Sequence, residues 1–256
     1  MAPAVSVITV VRNDAAGLAL TRASLIAQDW RDFEWLVADG GSTDGTAELL
    51  AGWAGEMGWW DSKPDAGPFD AMNRAMEQAR GEWLLFLNAG DRLADSKALS
   101  ALAAAREHAD LVYGDAVEEV APGLTAIRPA RRPRWAFYGM FAHHCAILYR
   151  HDQVRGLRYR TDLRIAADYG FTLEALRSAR TCVHVSRPVA CFASGGRSRT
   201  EERLGREEQF QLRRWTLCMP LAVCLSIRII QFGMGSLRRF WPKFYGRLRF
   251  TSTFGP

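Results

Sequence analysis

The sequence has few of the features that stabilise small secreted proteins. It contains five cysteines, an odd number, and none of them forms a C-x-x-C pair. A disulfide framework and a zinc site are therefore disfavoured, and a reducing cytosol is the expected environment. No basic segment precedes the first apolar run, Val5–Val11, and no small-residue cleavage site follows it. We expect this run to be a buried strand rather than a signal peptide.

The chain also lacks a clean membrane-spanning segment and a glycine-rich dinucleotide loop. Its longest mostly apolar stretch, residues 215–234, is interrupted by Pro220 and Arg228. An unpaired Arg at mid-bilayer costs at least ~2.5 kcal/mol, which disfavours a span. The polar residues Arg12-Asn13-Asp14 follow the first strand where a dehydrogenase would have G-x-G-x-x-G. A sugar-nucleotide pyrophosphorylase would have a glycine-rich loop at the same place.

Acidic residues are scarce near the C-terminus. Residues 197–256 hold 12 Lys or Arg and 4 Asp or Glu, a net charge of +8, whereas the whole chain carries +5. We therefore predict a nearly neutral domain over residues 1–198 and a basic, apolar, helical region over residues 199–256. Residues 237–245 mix cations with aromatic side chains, which suits a bilayer interface. A helix packed on the rest of the chain is the alternative, and nucleic acid is not an expected partner.

Apolar periodicity predicts alternating strands and helices. The predicted strands are 5–11, 33–38, 59–61, 83–87, 110–115, 144–149 and 182–192, and the predicted helices are 15–28, 43–50, 69–79, 96–107, 166–177 and 200–215. Residues 121–134 contain three prolines and are expected to form a loop with short strands. The order predicts an α/β fold with a mostly parallel central sheet and helices on both faces. Ligands of such sheets bind beyond the carboxyl ends of the strands.

The most specific motif follows the second predicted strand. Residues 39–46 read Asp-Gly-Gly-Ser-Thr-Asp-Gly-Thr. Glycines allow a backbone to approach a ligand closely, and the Asp39 carboxylate could accept hydrogen bonds from a base or a ribose. A lone Asp-Gly-Gly would indicate only a tight turn, with Asp44 as a helix cap. The complete string directly after a strand is far more specific.

Residues 37–46 resemble the signature of family 2 inverting glycosyltransferases. Residues 8–13 resemble the opening strand of that family, and residues 62–67, 70–73 and 79–82 match its next blocks in order. Residues 86–91 occupy the place of the metal-binding D-x-D motif. Here Asn88 and Gly90 replace its earlier carboxylates, and Asp91 remains. The resemblance is strong over residues 4–115 and weaker to about residue 200. It is greatest to the exopolysaccharide branch, such as colanic-acid-type transferases.

The resemblance implies a GT-A fold and a hexosyltransferase-type reaction. A sugar would move from a nucleotide-diphosphate sugar to a lipid-linked glycan acceptor in exopolysaccharide or surface polysaccharide biosynthesis. The residues implied in donor binding are Val11, Asn13, Asp39, Gly40, Asp65, Asp70, Asn73, Asn88 and Arg197. Asp91 would bind Mg²⁺ or Mn²⁺. Mg²⁺ often uses only one or two carboxylates together with substrate phosphates, so the reduced motif is compatible with a metal.

The acceptor side is also implied by resemblance. Asp168 lies in Ala167–Phe171, which resembles the family's acidic motif, and would be the general base; a helix N-terminal carboxylate is the structural alternative. His144 lies in a block that resembles one near the acceptor, and an ordinary structural histidine is an equal alternative. Trp215 completes Q-x-x-R-W, the signature of processive polysaccharide synthases. A processive synthase is therefore one alternative, and a non-catalytic partner subunit, which the reduced D-x-D motif favours, is the other. We expect a peripheral or monotopic protein at the cytoplasmic face of the inner (plasma) membrane.

Overall fold

A computed structural model of the protein describes residues 2–121, 124–192, 200–241, 244–246 and 253–254. In its first half strands and helices alternate: β1 (Val5–Val11), α1 (Ala15–Ile26), β2 (Phe33–Asp39), α2 (Thr46–Gly52), β3 (Trp59–Ser62), α3 (Pro68–Met76), β4 (Trp83–Phe86), β5 (Arg92–Leu93) and α4 (Ala98–Ala104). The second half contains β6 (Leu111–Ala121), β7 (Leu124–Arg128), β8 (Ile147–Arg150), α5 (Ala167–Ser178), β9 (Cys182–Phe192), α6 (Glu202–Trp215), α7 (Leu221–Phe240) and β10 (Thr253–Phe254).

The strands form one mixed sheet in the order β10-β7-β6-β8-β4-β1-β2-β3. β1 is parallel to β2 and β4, and β2 is parallel to β3, so the carboxyl ends of these strands meet at one edge. β8 is antiparallel to β4 and β6, and β9 pairs with β6 in parallel. The parallel strands carry near-continuous apolar runs because both of their faces are covered.

Helices cover both faces of the sheet because successive residues of a strand point to opposite sides. Val5, Val7 and Val11 of β1 pack into the core formed with α1, α2 and α4, whereas Ile8 and Val10 pack into the core formed with α3 and α5. α6 adds Leu212 to this second core. The predicted α/β class with helices on both faces is therefore confirmed.

The predicted strand over residues 144–149 begins differently. His144–Ala146 forms a 3₁₀ turn, and only Ile147–Arg150 joins the sheet as β8. Cys145 and Ala146 are fully buried in the turn, whereas His144 faces a cleft at the edge of the sheet. The turn thus directs one polar side chain outward from an otherwise apolar segment.

Two helices follow the sheet near the C-terminus. α6 has 14 residues and α7 has 20. In the part of the chain that the structure describes, no helix combines the length and the apolar character that crossing a membrane requires. The predicted boundary at residues 198 and 199 touches residues 193–199, which lie outside the described residues, and it stays a prediction.

Candidate functional site

A cleft of about 630 Å³ opens at the carboxyl ends of β1 and β4. This volume lies within the range of about 300–1,000 Å³ that is usual for ligand pockets. Six of the residues predicted from the sequence line it: Val11, Asp65, Asn88, Asp91, His144 and Asp168. The parallel half of the sheet brings the first four together, and the 3₁₀ turn and α5 add the other two. The structure therefore concentrates polar groups where a doubly wound sheet binds ligands.

His144 stands between two carboxylates in this cleft. Its Nε2 lies 3.9 Å from an Asp91 carboxylate oxygen, and its Nδ1 lies 3.9 Å from an Asp168 carboxylate oxygen. All three side chains are largely buried, with 15%, 14% and 25% of the His144, Asp91 and Asp168 side chains exposed. The Asn88 amide nitrogen approaches the same Nε2 at 3.1 Å.

Burial shifts the acidity of both carboxyl groups. It raises the pKa of Asp91 to about 6, against the opposing effect of the nearby His144. It also raises the pKa of Asp168, where His144 and the Tyr169 backbone N–H again oppose the shift. A carboxyl group whose proton affinity is raised by burial is suited to accept a proton in a reaction.

The cleft also contains an unsatisfied oxygen. Asn88 Oδ1 is buried and has no hydrogen-bond partner, which is uncommon for a buried side-chain acceptor. Among the described residues, no group of three or more His, Cys, Asp or Glu side chains could hold a metal ion. Asn88 Oδ1 and the Asp91 carboxylate nevertheless offer two oxygens of the type that Mg²⁺ and Mn²⁺ prefer. These two residues fit a metal that takes its remaining ligands from water and a diphosphate.

Asp39 is placed beside the cleft rather than in its lining. Its carboxylate is fully buried and accepts hydrogen bonds from the Ser42 backbone N–H at 3.0 Å, the Ser42 hydroxyl at 2.5 Å and the Ser62 hydroxyl at 2.5 Å. Asn13 also holds this loop, because its N–H donates to the Ser42 hydroxyl and its side-chain oxygen accepts from Thr43 N–H. A Cβ at Gly40 would lie 2.7 Å from the Asp65 carboxylate. The motif therefore forms a tightly hydrogen-bonded loop after β2.

Two further predicted donor residues hold the chain around α3. Asp70 accepts a hydrogen bond from the Ala66 N–H at 3.1 Å. Asn73 uses both ends of its amide on the backbone of Tyr159, with both bonds at 2.8 Å. As far as the chain is described, neither residue lines the cleft. Asn73 anchors the segment that leads to Arg164 and Ile165, which do line it.

The remaining predicted residues lie elsewhere. Trp215 is the last residue of α6 and is 73% exposed. The Arg214 guanidinium lies over the Trp215 ring, 5.6 Å from the ring centroid. Within the described residues Trp215 borders neither the cleft nor the second cavity described below. Arg197 lies outside the described residues.

Glu208 is an important residue that the sequence analysis did not identify. It lies on α6 and is only 5% exposed. Its carboxylate accepts three consecutive backbone N–H groups, those of Arg164, Ile165 and Ala166, at 2.7, 2.9 and 2.7 Å. These residues lead directly into α5, so Glu208 fixes the turn that presents Asp168. Glu208 is one of several glutamates on a charged helix, and nothing in the sequence around it distinguishes it as a residue that binds these N–H groups.

A second cavity of about 300 Å³ adjoins the cleft. His144, Ile165 and Asp168 line both spaces. Other parts of the second cavity are formed by the segment around Tyr138 and by residues of β7, α5, α6 and α7. Asp168 therefore stands at the junction of two spaces, one at the edge of the parallel strands and one against the C-terminal helices.

Comparison with known proteins agrees with this architecture. The family model described as glycosyl transferase family 2 matches residues 6–162. The PGL/p-HBAD biosynthesis glycosyltransferase of Mycobacterium tuberculosis (strain ATCC 25177 / H37Ra) is 32% identical over 267 residues, which cover 96% of this chain and 94% of that protein. This match extends the family likeness over the C-terminal helices.

Solved structures also resemble this chain. S. aureus TarS 1-349 in complex with UDP has a TM-score of 0.62 at 21% identity; the match covers 81% of this chain and spans only 65% of that one. The mannosyltransferase PcManGT from Pyrobaculum calidifontis, in complex with GDP-Man and Mn²⁺, has a TM-score of 0.61 at 17% identity, with 97% and 83% of the two chains covered. These structures support the predicted GT-A fold. With the matching family model and the mycobacterial relative, they show that the chain belongs to glycosyl transferase family 2 and is a glycosyltransferase.

Proposed function

We propose that this protein transfers a sugar, with inversion, from a nucleotide-diphosphate sugar to a lipid-linked acceptor. The observation that carries the proposal is the position of Asp168, which borders both the cleft and the second cavity. A base that takes a proton from an acceptor hydroxyl must touch the acceptor while it faces the donor's anomeric carbon. The junction of two spaces meets that requirement.

The donor would lie in the larger cleft. Its nucleotide would lie near Val11 and Asp65, beside the loop of residues 39–46, and its diphosphate would face Asn88 and Asp91. The solved structures with UDP and with GDP-Man support a nucleotide-sugar donor, because those ligands belong to proteins of the same fold. Gly40 would let the loop pack closely on Asp65, and Asp39 would hold the loop in place.

The reaction would be a direct displacement. Asp168 takes the proton of the acceptor hydroxyl while its oxygen forms a bond to the anomeric carbon. The bond from that carbon to the diphosphate oxygen breaks on the opposite side, and its electron pair leaves with the nucleoside diphosphate. The configuration of the sugar therefore inverts. A Mg²⁺ or Mn²⁺ ion held by Asp91 and Asn88 would neutralise negative charge on the leaving diphosphate.

The acceptor class is inferred from two resemblances and from the C-terminal region. The sequence resembles exopolysaccharide transferases, whereas the mycobacterial relative is named for PGL/p-HBAD biosynthesis. A lipid-linked acceptor and work at the cytoplasmic face of the membrane agree with the basic, apolar C-terminal region. An exopolysaccharide precursor and the acceptor of the relative's pathway should therefore both be offered to the enzyme.

A donor screen tests the proposal. UDP-, GDP- and dTDP-sugars are added with Mg²⁺, and the shift in unfolding temperature is measured. A donor at 100 times its dissociation constant adds about 2.7 kcal/mol of apparent stability. The anomeric configuration of the product is then read by NMR. We expect one nucleotide class to stabilise the protein and the product to be inverted. No stabilisation by any donor, or retention of configuration, would contradict the proposal.

A further inference from the structure

α7 has one face against the protein. Cys224 is fully buried and Ile227 is 4% exposed. Gln231 donates hydrogen bonds to the Tyr138 carbonyl at 3.1 Å and to the Gln209 side-chain oxygen at 3.2 Å. Positions 224, 227 and 231 recur at three and four residues, so they lie on one side of the helix. This inner face fixes α7 on the enzyme.

The opposite face of α7 is apolar and exposed. Its large side chains are Leu221, Leu225, Ile229, Ile230, Phe232 and Phe240. Ile229 is 73% exposed and Phe232 is 69% exposed, although both are fully apolar. A surface helix of a soluble protein normally turns polar residues outward. We call these six side chains the outer face of α7. An apolar surface of this kind marks a site of interaction.

The basic C-terminal sequence indicates the partner. Residues 209–256 contain eight Lys or Arg and no Asp or Glu. Among the described ones, Arg214 lies beside Trp215 before α7, and Arg239 is exposed near the end of α7. Trp215, Trp241 and Phe244 are exposed near the two ends of α7. Arg228, the charged residue nearest its middle, is bonded to Glu207 of α6 at 3.0 Å. A long apolar face with aromatic residues and cations at its borders suits the headgroup layer of an anionic bilayer. A protein partner would require no such excess of positive charge.

The inner face of the same helix borders the second cavity. Gln231, Met234 and Gly235 line it together with Asp168. An α-helix with its side chains is only about 10–12 Å across. A bilayer that covers the outer face of α7 would therefore lie within about one helix diameter of the cavity. A headgroup sugar that projects from the bilayer could enter this space without leaving its lipid.

We infer that α7 docks the enzyme on an anionic bilayer through its outer face, while its inner face forms a wall of the acceptor cavity. The inference rests on the proposed function for the identity of that cavity, but the docking itself does not. A peripheral mode of binding is also consistent with the described helices, none of which could span a membrane. The helix would lie along the surface, with Asp168 on the side facing the protein.

The test compares two double variants of the full-length protein. Ile229→Glu/Phe232→Glu places two carboxylates on the outer face. The matched control, Leu20→Glu/Ile26→Glu, makes the same chemical change at exposed positions of α1, which packs on the other face of the sheet. Each protein is sedimented with phosphatidylcholine vesicles containing about one-third phosphatidylglycerol, at low salt. Binding of the UDP-, GDP- and dTDP-sugars is measured separately on the same samples.

We expect the wild type and the control to sediment with the vesicles, and the outer-face variant to partition at least about tenfold more weakly. Equal sedimentation of both double variants would overturn the inference. So would a wild type that stays in the supernatant, and sedimentation equilibrium would then show whether a second copy covers the outer face instead. If vesicle binding follows the expectation but no donor binds, the proposed function fails and the docking surface stands. If donors bind but vesicles do not, the docking surface alone fails.

Discussion

The His144 ring lies between Asp91 and Asp168. Its Nε2 is 3.9 Å from an Asp91 carboxylate oxygen, and its Nδ1 is 3.9 Å from an Asp168 carboxylate oxygen. Asp91 follows β4 and lines the cleft, and Asp168 lies at the start of α5 beside the second cavity. The imidazole lowers the pKa of both carboxyl groups, against a larger upward effect of burial. A single side chain thus acts on the electrostatics of both halves of the site.

Replacement of His144 should shift the pH dependence of turnover. In His144→Gln, burial would continue to raise the pKa of Asp168, while the opposing effect of the imidazole would be lost. A base must be deprotonated, so the acidic limb of kcat/KM should move to higher pH. The profile is measured beside His108→Gln, which changes a fully exposed histidine. An unchanged acidic limb in His144→Gln would show that the imidazole does not act on the base.

Glu208 should act as a positioning residue for Asp168. Glu208→Gln removes one acceptor from a carboxylate that serves three backbone N–H groups. An unsatisfied buried N–H costs about 1–3 kcal/mol, so both stability and kcat should fall while donor affinity is retained. The Glu208 charge also raises the pKa of Asp168, so the acidic limb should move to lower pH, opposite to His144→Gln. Glu207→Gln, on the exposed side of α6, is the control. A loss of stability with an unmoved pH profile would indicate a structural role only.

The metal dependence can be tested on binding as well as on turnover. With Asp91 and Asn88 as ligands, excess EDTA should weaken donor binding, and Mg²⁺ or Mn²⁺ should restore it. Asp91→Asn preserves the size of the side chain and removes its charge, so the metal-dependent gain in donor affinity should fall about tenfold or more. Calorimetric titrations with and without EDTA measure this gain. Equal donor affinity and turnover in EDTA would show that the enzyme works without a metal.

The Ala79–Glu82 block should have a structural function. A Cβ at Gly81 would lie 2.4 Å from the Ser6 backbone nitrogen, at the start of β1. Gly81→Ala should therefore destabilise the fold by about 1–3 kcal/mol, because backbone must move to admit the methyl group. Gly52→Ala is the control, since nothing lies within 4 Å of its added Cβ. Urea denaturation compares the two variants. Equal midpoints would contradict the close packing of β1 against this turn.

Much of the parallel half of the fold could be predicted because its signals are local. The β-branched run Val5–Val11 is a complete strand, as predicted, and the predicted strand over 182–192 is β9. The position of the cleft follows from the parallel strands, whose carboxyl ends share one edge. The shared edge is sufficient to predict that Val11 and Asn88 line the same cleft.

The rest of the site depends on contacts between distant residues. Asn73 bonds to Tyr159, 86 residues away, and Glu208 bonds to residues 42 to 44 positions earlier. The Asp39 carboxylate also accepts a hydrogen bond from Ser62, which is 23 residues away and lies outside the motif. His144 faces the cleft only because a 3₁₀ turn replaces the first residues of a predicted strand. Tertiary packing determined each of these outcomes.

Asp168 is the proposed base of the glycosyl transfer, and replacing it with asparagine tests this role. Asp168→Asn preserves the shape of the side chain and removes its ability to take a proton. Donor affinity is measured by calorimetry, and turnover is measured with the same donor and acceptor. General-base assistance contributes about 10²–10⁴-fold, so turnover should fall by that factor while the donor dissociation constant is unchanged. Near-normal turnover of Asp168→Asn, with donor binding intact, would show that Asp168 is not the base.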